Sequence, residues 1–231
     1  MGYTREQIIE KCRAAFSNKS TFYKEGFINY RGKTTDTEEF YTEVVAEFLC
    51  DNINAYVSGI ECISRKNSYK TEGHDGVHKE GSNREEEIIA MQMFVQSRDL
   101  GAYDHIGKII DYQTPLKSKC TDEAGKIDLL SLDGEIMRIL ELKKPDSEET
   151  MLRCVLEGFT YMQTADTEKL ISDFGYDPEK VVVKASPFVF YGGEQYKEMC
   201  QTRPFLKKLM MLLDSKPFYI IKNKKYRVVE A

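Results

Sequence analysis

The sequence predicts an α/β fold in which a mixed central β-sheet is flanked by helices on both faces. Three observations favour this class. Short apolar runs, typical of buried strands, recur along the chain, and helical apolar patterns separate some of them. Strands and helices alternate only in part, which indicates a mixed sheet rather than a parallel one. Hydrophobic residues make up 41% of the 231 residues, enough for a sizeable core.

The first 70 residues are predicted to be mainly helical. Residues 4–17 predict an amphipathic helix that begins with a capping box of Thr4 and Gln7. A second helix is expected to start near Asp36, and residues 56–64 predict a strand. We therefore expect residues 1–70 to form an N-terminal helical region that packs on, or is appended to, a domain of residues 71–231.

The remaining elements would build the sheet and its helices. The polar, glycine-bearing segment 64–84 predicts an exposed loop. The elements expected after it are a helix over 84–98, a strand over 106–116, two strands within 125–145, a helix over 147–165, a strand over 181–193, a helix over 204–215 and an edge hairpin over 217–230.

Composition and charge exclude several classes of protein. No apolar run approaches the roughly 18–20 residues that a membrane span needs, and the N-terminus lacks a signal core, so we expect a cytoplasmic protein without membrane contact. The six cysteines form no C-x-x-C pair, which favours reduced, buried thiols over disulfides or a zinc site. A net charge of −5 argues against a general DNA coat protein, which would be basic.

The stretch GKIDLLSLDGEIMRILELKKP, residues 125–145, places acidic residues inside two apolar runs. Its Asp133-Gly134 pair is the signal of a two-residue hairpin turn, which would pair Leu132 with Glu135. Because both faces of this hairpin are mainly apolar, the two strands should be central strands of the sheet.

This pairing puts three charged side chains on one face of the hairpin. Asp128 and Glu141 would be diagonal neighbours with Cβ atoms roughly 7 Å apart, and Lys143 would follow on the same face. Two such carboxylates can bind one divalent cation, and Mg²⁺ or Mn²⁺ suits hard oxygen ligands. The alternative is an ordinary ion pair of Glu141 with Lys126 or Lys143.

Asp128 on one strand and Glu141-Leu142-Lys143 on the next resemble the PD-(D/E)xK nuclease superfamily, which has the restriction-endonuclease-like fold. The resemblance covers about residues 84–165, with the strand at 181–191 as the next core strand. Ile127 stands where the family has proline. The resemblance implies a metal-dependent nuclease in which Asp128 and Glu141 bind Mg²⁺ or Mn²⁺ and Lys143 supports the attacking water.

The same resemblance suggests further site residues but no subgroup. Related families commonly add a glutamate from the first core helix, for which Glu86 and Glu87 are the candidates, although acids there also suit a helix N-terminus. The expected substrate-binding residues are Gln113, Lys126, Lys144, Arg153 and Tyr161. Ordinary strand-surface or helix-surface positions remain the alternative for them. The expected partner is nucleic acid, DNA rather than RNA, and a homodimer is allowed.

Two other hypotheses compete with a nuclease. A non-catalytic module that binds nucleic acid or protein could use the same fold and retain the acids for structure. A zinc site could involve His74 and His78, which are four residues apart, but Gly73 and Gly76 argue against the helix that this spacing requires. A serine hydrolase is disfavoured because the sequence has no G-x-S-x-G elbow.

Overall fold

A computed structural model describes residues 2–76, 85–116 and 125–230. It shows an α/β protein with a mixed six-stranded sheet in which the strands lie in sequence order. The strands are β1 (Lys108–Pro115), β2 (Lys126–Asp133), β3 (Ile136–Leu142), β4 (Val182–Phe190), β5 (Phe218–Lys222) and β6 (Tyr226–Val229). β4 pairs in parallel with β3 and with β5, and the other neighbours are antiparallel.

Eight α-helices occur in the described part of the chain. They are α1 (Arg5–Ala15), α2 (Tyr41–Asp51), α3 (Ile53–Ser58), α4 (Glu85–Leu100), α5 (Met151–Thr164), α6 (Thr167–Asp173), α7 (Glu194–Met199) and α8 (Pro204–Leu212). Two short 3₁₀ helices, Lys19–Lys24 and Gly26–Asn29, connect α1 to the next segment.

Most of the elements predicted after residue 84 are present. The expected helices over 84–98, 147–165 and 204–215 correspond to α4, α5 and α8, and every expected strand of the sheet has its counterpart in β1 to β6. α6 and α7 were not predicted. In the loop expected over 64–84, the described residues 64–76 contain no helix or strand, and the remainder of this loop lies outside the described residues.

The N-terminal region confirms one prediction and corrects two. Thr4 and Gln7 form the expected capping box at the start of α1. The second helix begins at Tyr41 and not near Asp36, because residues 34–39 close a turn in which Thr34 N donates to the Glu39 carbonyl at 2.8 Å.

The strand predicted over residues 56–64 is wrong, because the first part of this segment belongs to α3 and the rest has no strand. Tyr56 and Ile60 are four residues apart, and both are buried in the same apolar cluster as Phe159 of α5. This spacing suits a helical turn, whereas a strand would have turned alternate side chains toward solvent.

Two buried apolar clusters lie against the sheet. Alternate side chains of β2 and β3 belong to different clusters: Leu130 and Ile139 pack with α5 in the first, whereas Leu129 and Leu140 pack with α4 in the second. Buried residues of α1 and α2 belong to the first cluster as well. The helical region therefore packs on the core, while the domain boundary at residue 70 stays a prediction.

Two further predictions concern membrane contact and the cysteines. Within the described ranges, no helix combines the length and the apolar character that crossing a bilayer would require.

Two of the five described cysteines contradict the expectation of burial, because they lie at the surface. All five are free thiols, Cys12, Cys50 and Cys154 being buried and Cys62 and Cys200 exposed.

Candidate functional site

The central hairpin of the sheet differs from its predicted register. Asp133 pairs with Ile136 and Leu132 with Met137, so the two turn residues are Gly134 and Glu135 rather than Asp133 and Gly134. Gly134 has a φ of 59°. Glycine at the first central position is what a type II′ turn requires, and this preference moves the turn one residue along the chain.

The corrected register brings the two predicted metal ligands closer together. Leu129 pairs with Leu140 at the end of this ladder, and one further step in the same register would set Asp128 opposite Glu141. Direct neighbours have Cβ atoms about 4.5–5.5 Å apart, which is closer than the diagonal arrangement that the sequence predicted. Because the register error leaves the alternation of faces unchanged, the two carboxylates still share one face of the sheet.

Asp128 is partly buried and accepts two hydrogen bonds from neutral groups. Gln113 Nε2 donates to its Oδ1 and the Leu142 backbone N–H donates to its Oδ2, both at 3.0 Å. Burial raises the pKa of Asp128 to about 7, against the opposing effect of the Lys143 charge. A buried carboxyl group with a raised pKa is stabilised when a cation takes the place of its proton.

Gln113 reaches Asp128 from an unusual backbone conformation. Its φ is 51°, in the left-handed region, and it lies between two regular cross-strand pairs, Tyr112 with Leu129 and Thr114 with Ile127. Such a conformation costs of the order of 1 kcal/mol and persists only where its surroundings hold it, commonly at functional sites. The structure thus places Gln113 as a support of Asp128 and not in the lining of the cleft.

Lys143 is buried and lies among three carboxylates, of which Glu141 and Glu157 are buried and Glu149 is partly exposed. Its Nζ is 2.9 Å from Glu141 Oε1, 2.7 Å from Glu149 Oε2 and 3.1 Å from Glu157 Oε2. Burial alone would lower the pKa of Lys143, but Glu141 and Glu157 outweigh it and hold this pKa well above its usual range. Lys143 is therefore a fixed cation.

Glu141 has an oxygen that remains free within the described structure. Its Oε1 receives the hydrogen bond of Lys143, whereas its Oε2 is buried and has no hydrogen-bond partner there. Burial, and then the charge of Glu157, raise the pKa of Glu141 well above its usual range. An unsatisfied buried acceptor is costly, so this oxygen is suited to a cation or another donor.

The helix α5 supplies the other wall of the site. Arg153, Glu157 and Tyr161 follow one another at helical spacing and point to the cleft. Arg153 Nε donates to Glu157 Oε2 at 3.2 Å and Tyr161 Oη donates to Glu157 Oε1 at 3.0 Å. Arg153 also donates to the Tyr23 carbonyl. Burial alone would raise the pKa of Glu157, but Lys143 and Arg153 outweigh it and lower this pKa.

Replacing Tyr161 by Phe is expected to lower the free energy of unfolding by about 1–2 kcal/mol, because the buried carboxylate of Glu157 would lose one hydrogen bond. Denaturant unfolding at pH 7 measures the change. Tyr176→Phe, at a partly buried tyrosine outside the site, serves as the control and should stay within about 0.5 kcal/mol. Equal effects of the two variants would show that the Tyr161 hydroxyl does not stabilise the site.

The charged groups surround an open cleft with a volume of about 600 Å³. Glu86 accepts a hydrogen bond from the Lys144 backbone N–H at 3.1 Å, and Lys144 Nζ pairs with Glu85 at 2.9 Å. Glu87 is not among the described residues that form the lining. The lining consists of Glu86, Lys126, Asp128, Glu141, Lys143, Lys144, Asp146, Ser147, Glu148, Glu149, Arg153, Glu157 and Tyr161.

Sequence reasoning missed Glu149 and Glu157 as partners of Lys143. The sequence does place Glu157 between Arg153 and Tyr161, four residues from each, opposite the apolar stripe of this helix, but it gives no sign of the contact with Lys143. No comparable signal existed for Glu149, because it precedes α5 and meets Lys143 only through the fold.

The carboxylates of the cleft are the potential ligands of the expected metal ions. No group of three or more histidine, cysteine, aspartate or glutamate side chains that could hold a metal occurs among residues 2–76, 85–116 and 125–230. Two carboxylates, Asp128 and Glu141, remain, with the unpartnered Oε2 of Glu141 among their oxygens. Mg²⁺ keeps several of its waters and commonly binds through one or two carboxylates, so these residues fit it.

The alternative zinc site of the 72–81 loop has no support from the residues described. His74 Nδ1 lies 2.6 Å from Asp111 Oδ1, and the imidazole stacks on Tyr112 with ring centroids 4.6 Å apart. His78 lies outside the described residues. His74 is thus already paired within the fold.

Comparisons of the chain with protein-family models, with curated proteins and with solved structures found no match. A function therefore has to be inferred from the chemistry of the cleft.

Proposed function

We propose that the protein is a Mg²⁺- or Mn²⁺-dependent nuclease that hydrolyses phosphodiester bonds of nucleic acid, with DNA favoured over RNA. The observation that supports it best is that Asp128, Glu141 and Lys143 line one open cleft. The free oxygen of Glu141 and the raised pKa of Asp128 give both carboxylates a reason to accept a cation.

The order of elements supports the resemblance to the PD-(D/E)xK superfamily. An acidic helix, three antiparallel strands, a helix and a further strand follow one another as α4, β1, β2, β3, α5 and β4. Asp128 lies on the second of these strands, Glu141 and Leu142 end the third, and Lys143 follows directly after it. A restriction-endonuclease-like core, covered by helices on both faces and extended by the N-terminal helices, is part of the proposal.

Each residue of the cleft then has a distinct role. Asp128 and Glu141 would hold the cation, which when bound lowers the pKa of a water and stabilises charge on the phosphate. Lys143 Nζ orients the attacking water or offsets the negative charge that develops on the phosphate. Glu149 and Glu157 keep Lys143 charged and in place. Glu86 lines the cleft, but among the described residues it forms no three-ligand group with Asp128 and Glu141, so it could act as a third ligand only by leaving the Lys144 backbone N–H.

Basic and polar groups at the rim would bind the substrate backbone. Lys126 is exposed beside Asp128, and Lys144 is held near the rim by Glu85. Arg153 and Tyr161 also line the cleft, although their hydrogen bonds go to protein groups, so they act by shaping the wall unless the substrate displaces these bonds. A cytoplasmic location and a homodimer remain part of this proposal without further support.

A cleavage assay on DNA and on RNA, each with Mg²⁺, Mn²⁺ or EDTA, tests the proposal. Wild type should cut with metal and stop with EDTA, and Asp128→Asn should cut at least about 100-fold more slowly because it loses an anionic ligand. Asp133→Asn, on the same strand but exposed at its end, is the control and should match wild type. Cleavage that resists EDTA, or that is equally slow in wild type and Asp128→Asn, would rule out a metal centre here.

A non-catalytic binding module is the second candidate. It is favoured by the three ion pairs of Lys143, which already form a closed network without a metal. If the protein is such a module, Mn²⁺ should stabilise wild type no more than it stabilises Asp128→Ala.

A further inference from the structure

A second cavity lies beside the cleft and is formed by residues between 30 and 42, by α7, and by the segment that precedes α8. Its volume is about 240 Å³, and its wall combines two arginines, a lysine and two glutamates with aromatic rings. Thr150 belongs to this cavity, whereas the adjacent Ser147 and Glu149 line the cleft. The two spaces are thus separate but share the segment of chain that leads into α5.

Arg203 is the most unusual group in this cavity. Only 5% of its surface is exposed, yet its Nε and Nη1 have no hydrogen-bond partner among the described residues. Its Nη2 donates to Gln201 Oε1 at 2.9 Å, and the guanidinium stacks on the Phe40 ring, 3.2 Å from its centroid. Both atoms are themselves buried, and unpaired donors of a buried cation are expensive, so these N–H groups would gain from an acceptor that the described fold does not supply.

The nearby acceptors of the fold are already committed elsewhere. Glu198 accepts from Thr42 Oγ1 at 3.1 Å and from the Met151 backbone N–H at 2.8 Å, and it is 3.9 Å from Arg203 Nε. The first backbone N–H groups of α8 donate to Glu43. Glu198 therefore forms only a long ion pair with Arg203, and no described carboxylate accepts a hydrogen bond from its Nε or Nη1.

Two further cations line the same cavity. Lys197 Nζ is 2.7 Å and Arg31 Nη1 is 3.4 Å from Glu194, a carboxylate with 45% of its side chain exposed. Exposed ion pairs of this kind contribute little to stability, so a bound anion can compete with Glu194 for both cations.

We propose that this cavity binds a phosphate group carried by a nucleotide or by a nucleic-acid strand, with Arg203 as its main ligand. A tetrahedral phosphate accepts hydrogen bonds from several directions, which suits donors from Arg203, Arg31 and Lys197 on different parts of the wall, whereas a planar carboxylate uses fewer of them. The inference does not rest on the proposed cleavage, because Arg203 lies outside the cleft.

Calorimetric titration in EDTA tests the site without any metal-dependent step. The probes are inorganic phosphate, adenosine 5′-monophosphate, adenosine, acetate, and a short single-stranded oligonucleotide with or without a 5′-phosphate. Phosphate and the monophosphate should bind wild type, adenosine and acetate should not, and Arg203→Gln should weaken binding at least about 10-fold. Lys207→Gln, an exposed basic residue of α8 outside this cavity, is the matched control and should bind as wild type does.

The oligonucleotides identify the source of the phosphate. Binding that requires the 5′-phosphate would assign the cavity to a terminal phosphate or free nucleotide, and equal binding of both would assign it to the strand backbone. Acetate binding as tight as phosphate, no heat with wild type, or unchanged binding in Arg203→Gln would each overturn the proposal. Should Arg203→Gln fail to fold, the Arg203 Nε–H signal of wild type must shift on phosphate titration in NMR, and an unmoved signal would also overturn it.

Discussion

Replacing Lys143 by Met is expected to reduce metal-dependent phosphodiester cleavage by about 100- to 1000-fold and to lower the free energy of unfolding at pH 8 by about 3–5 kcal/mol. The loss of activity follows from removing the only donor that the proposal places beside the reacting water. The loss of stability follows because Glu141 and Glu157 would keep their burial and lose the cation that both contact. Cleavage assays and denaturant unfolding measure the two effects.

Lys169→Met provides the matched control. Lys169 pairs with Asp173 on α6, away from the cleft, so its replacement should change stability by less than about 1 kcal/mol and leave cleavage unaltered. Comparing pH 5 with pH 8 separates charge from packing in Lys143→Met. At pH 5 the buried carboxyls can take up protons, and the deficit should shrink. An equal deficit at both pH values would mean that the methionine fails to pack and that charge is not the cause.

The sequence predicted the hairpin better than its register. Alternation of apolar and charged residues identified the two strands and the shared face of Asp128 and Glu141, because alternation depends only on local periodicity. The register depends on which two residues turn the chain, and the backbone of Gly134 decided this in favour of a later turn. Because the change in register preserves the alternation of faces, the predicted pair survived the error.

Other parts of the site could not be predicted because they depend on contacts between distant segments. Glu149 meets Lys143, and Gln113 supports Asp128, only after β1 and the start of α5 have packed around the hairpin. Arg203 is a similar case, since its burial against Phe40 joins positions that are far apart in the chain. Single-sequence patterns report the spacing within one element, whereas these contacts require the tertiary fold.

The segment between β3 and α5 links the two spaces in the structure. On the side of the cavity, Arg31 Nη2 donates hydrogen bonds to the Ser147 carbonyl at 3.5 Å and to the Glu149 carbonyl at 3.4 Å. The Glu149 side chain contacts Lys143 on the cleft side. The same short stretch of backbone therefore contacts a cation of the cavity and carries a partner of Lys143.

In the absence of metal, Asp128 is expected to make the protein less stable as the pH rises from about 4 to about 7, measured as the difference between wild type and Asp128→Asn. The pKa of Asp128 is about 7 in the fold and 3.8 in an unperturbed chain, so the unfolded state loses this proton first and gains relative stability between these values. The change is on the order of 2–4 kcal/mol, toward the lower figure because Asp128 is only partly buried. The raised pKa of Glu141 acts in the same direction, whereas the lowered pKa of Glu157 acts in the opposite one.

Denaturant unfolding between pH 4 and pH 8.5, with EDTA or with Mn²⁺, measures this dependence. Mn²⁺ should restore stability mainly above pH 7, where it competes with fewer protons, and the gain should rise with its concentration as binding to the folded state alone requires. Asp128→Asn should flatten the pH dependence in EDTA and lose most of the stabilisation by Mn²⁺. Asp133→Asn should keep both. If Mn²⁺ stabilised Asp128→Asn as strongly as wild type, the cation would bind elsewhere, and the raised pKa of Asp128 would reflect burial without any role in metal binding.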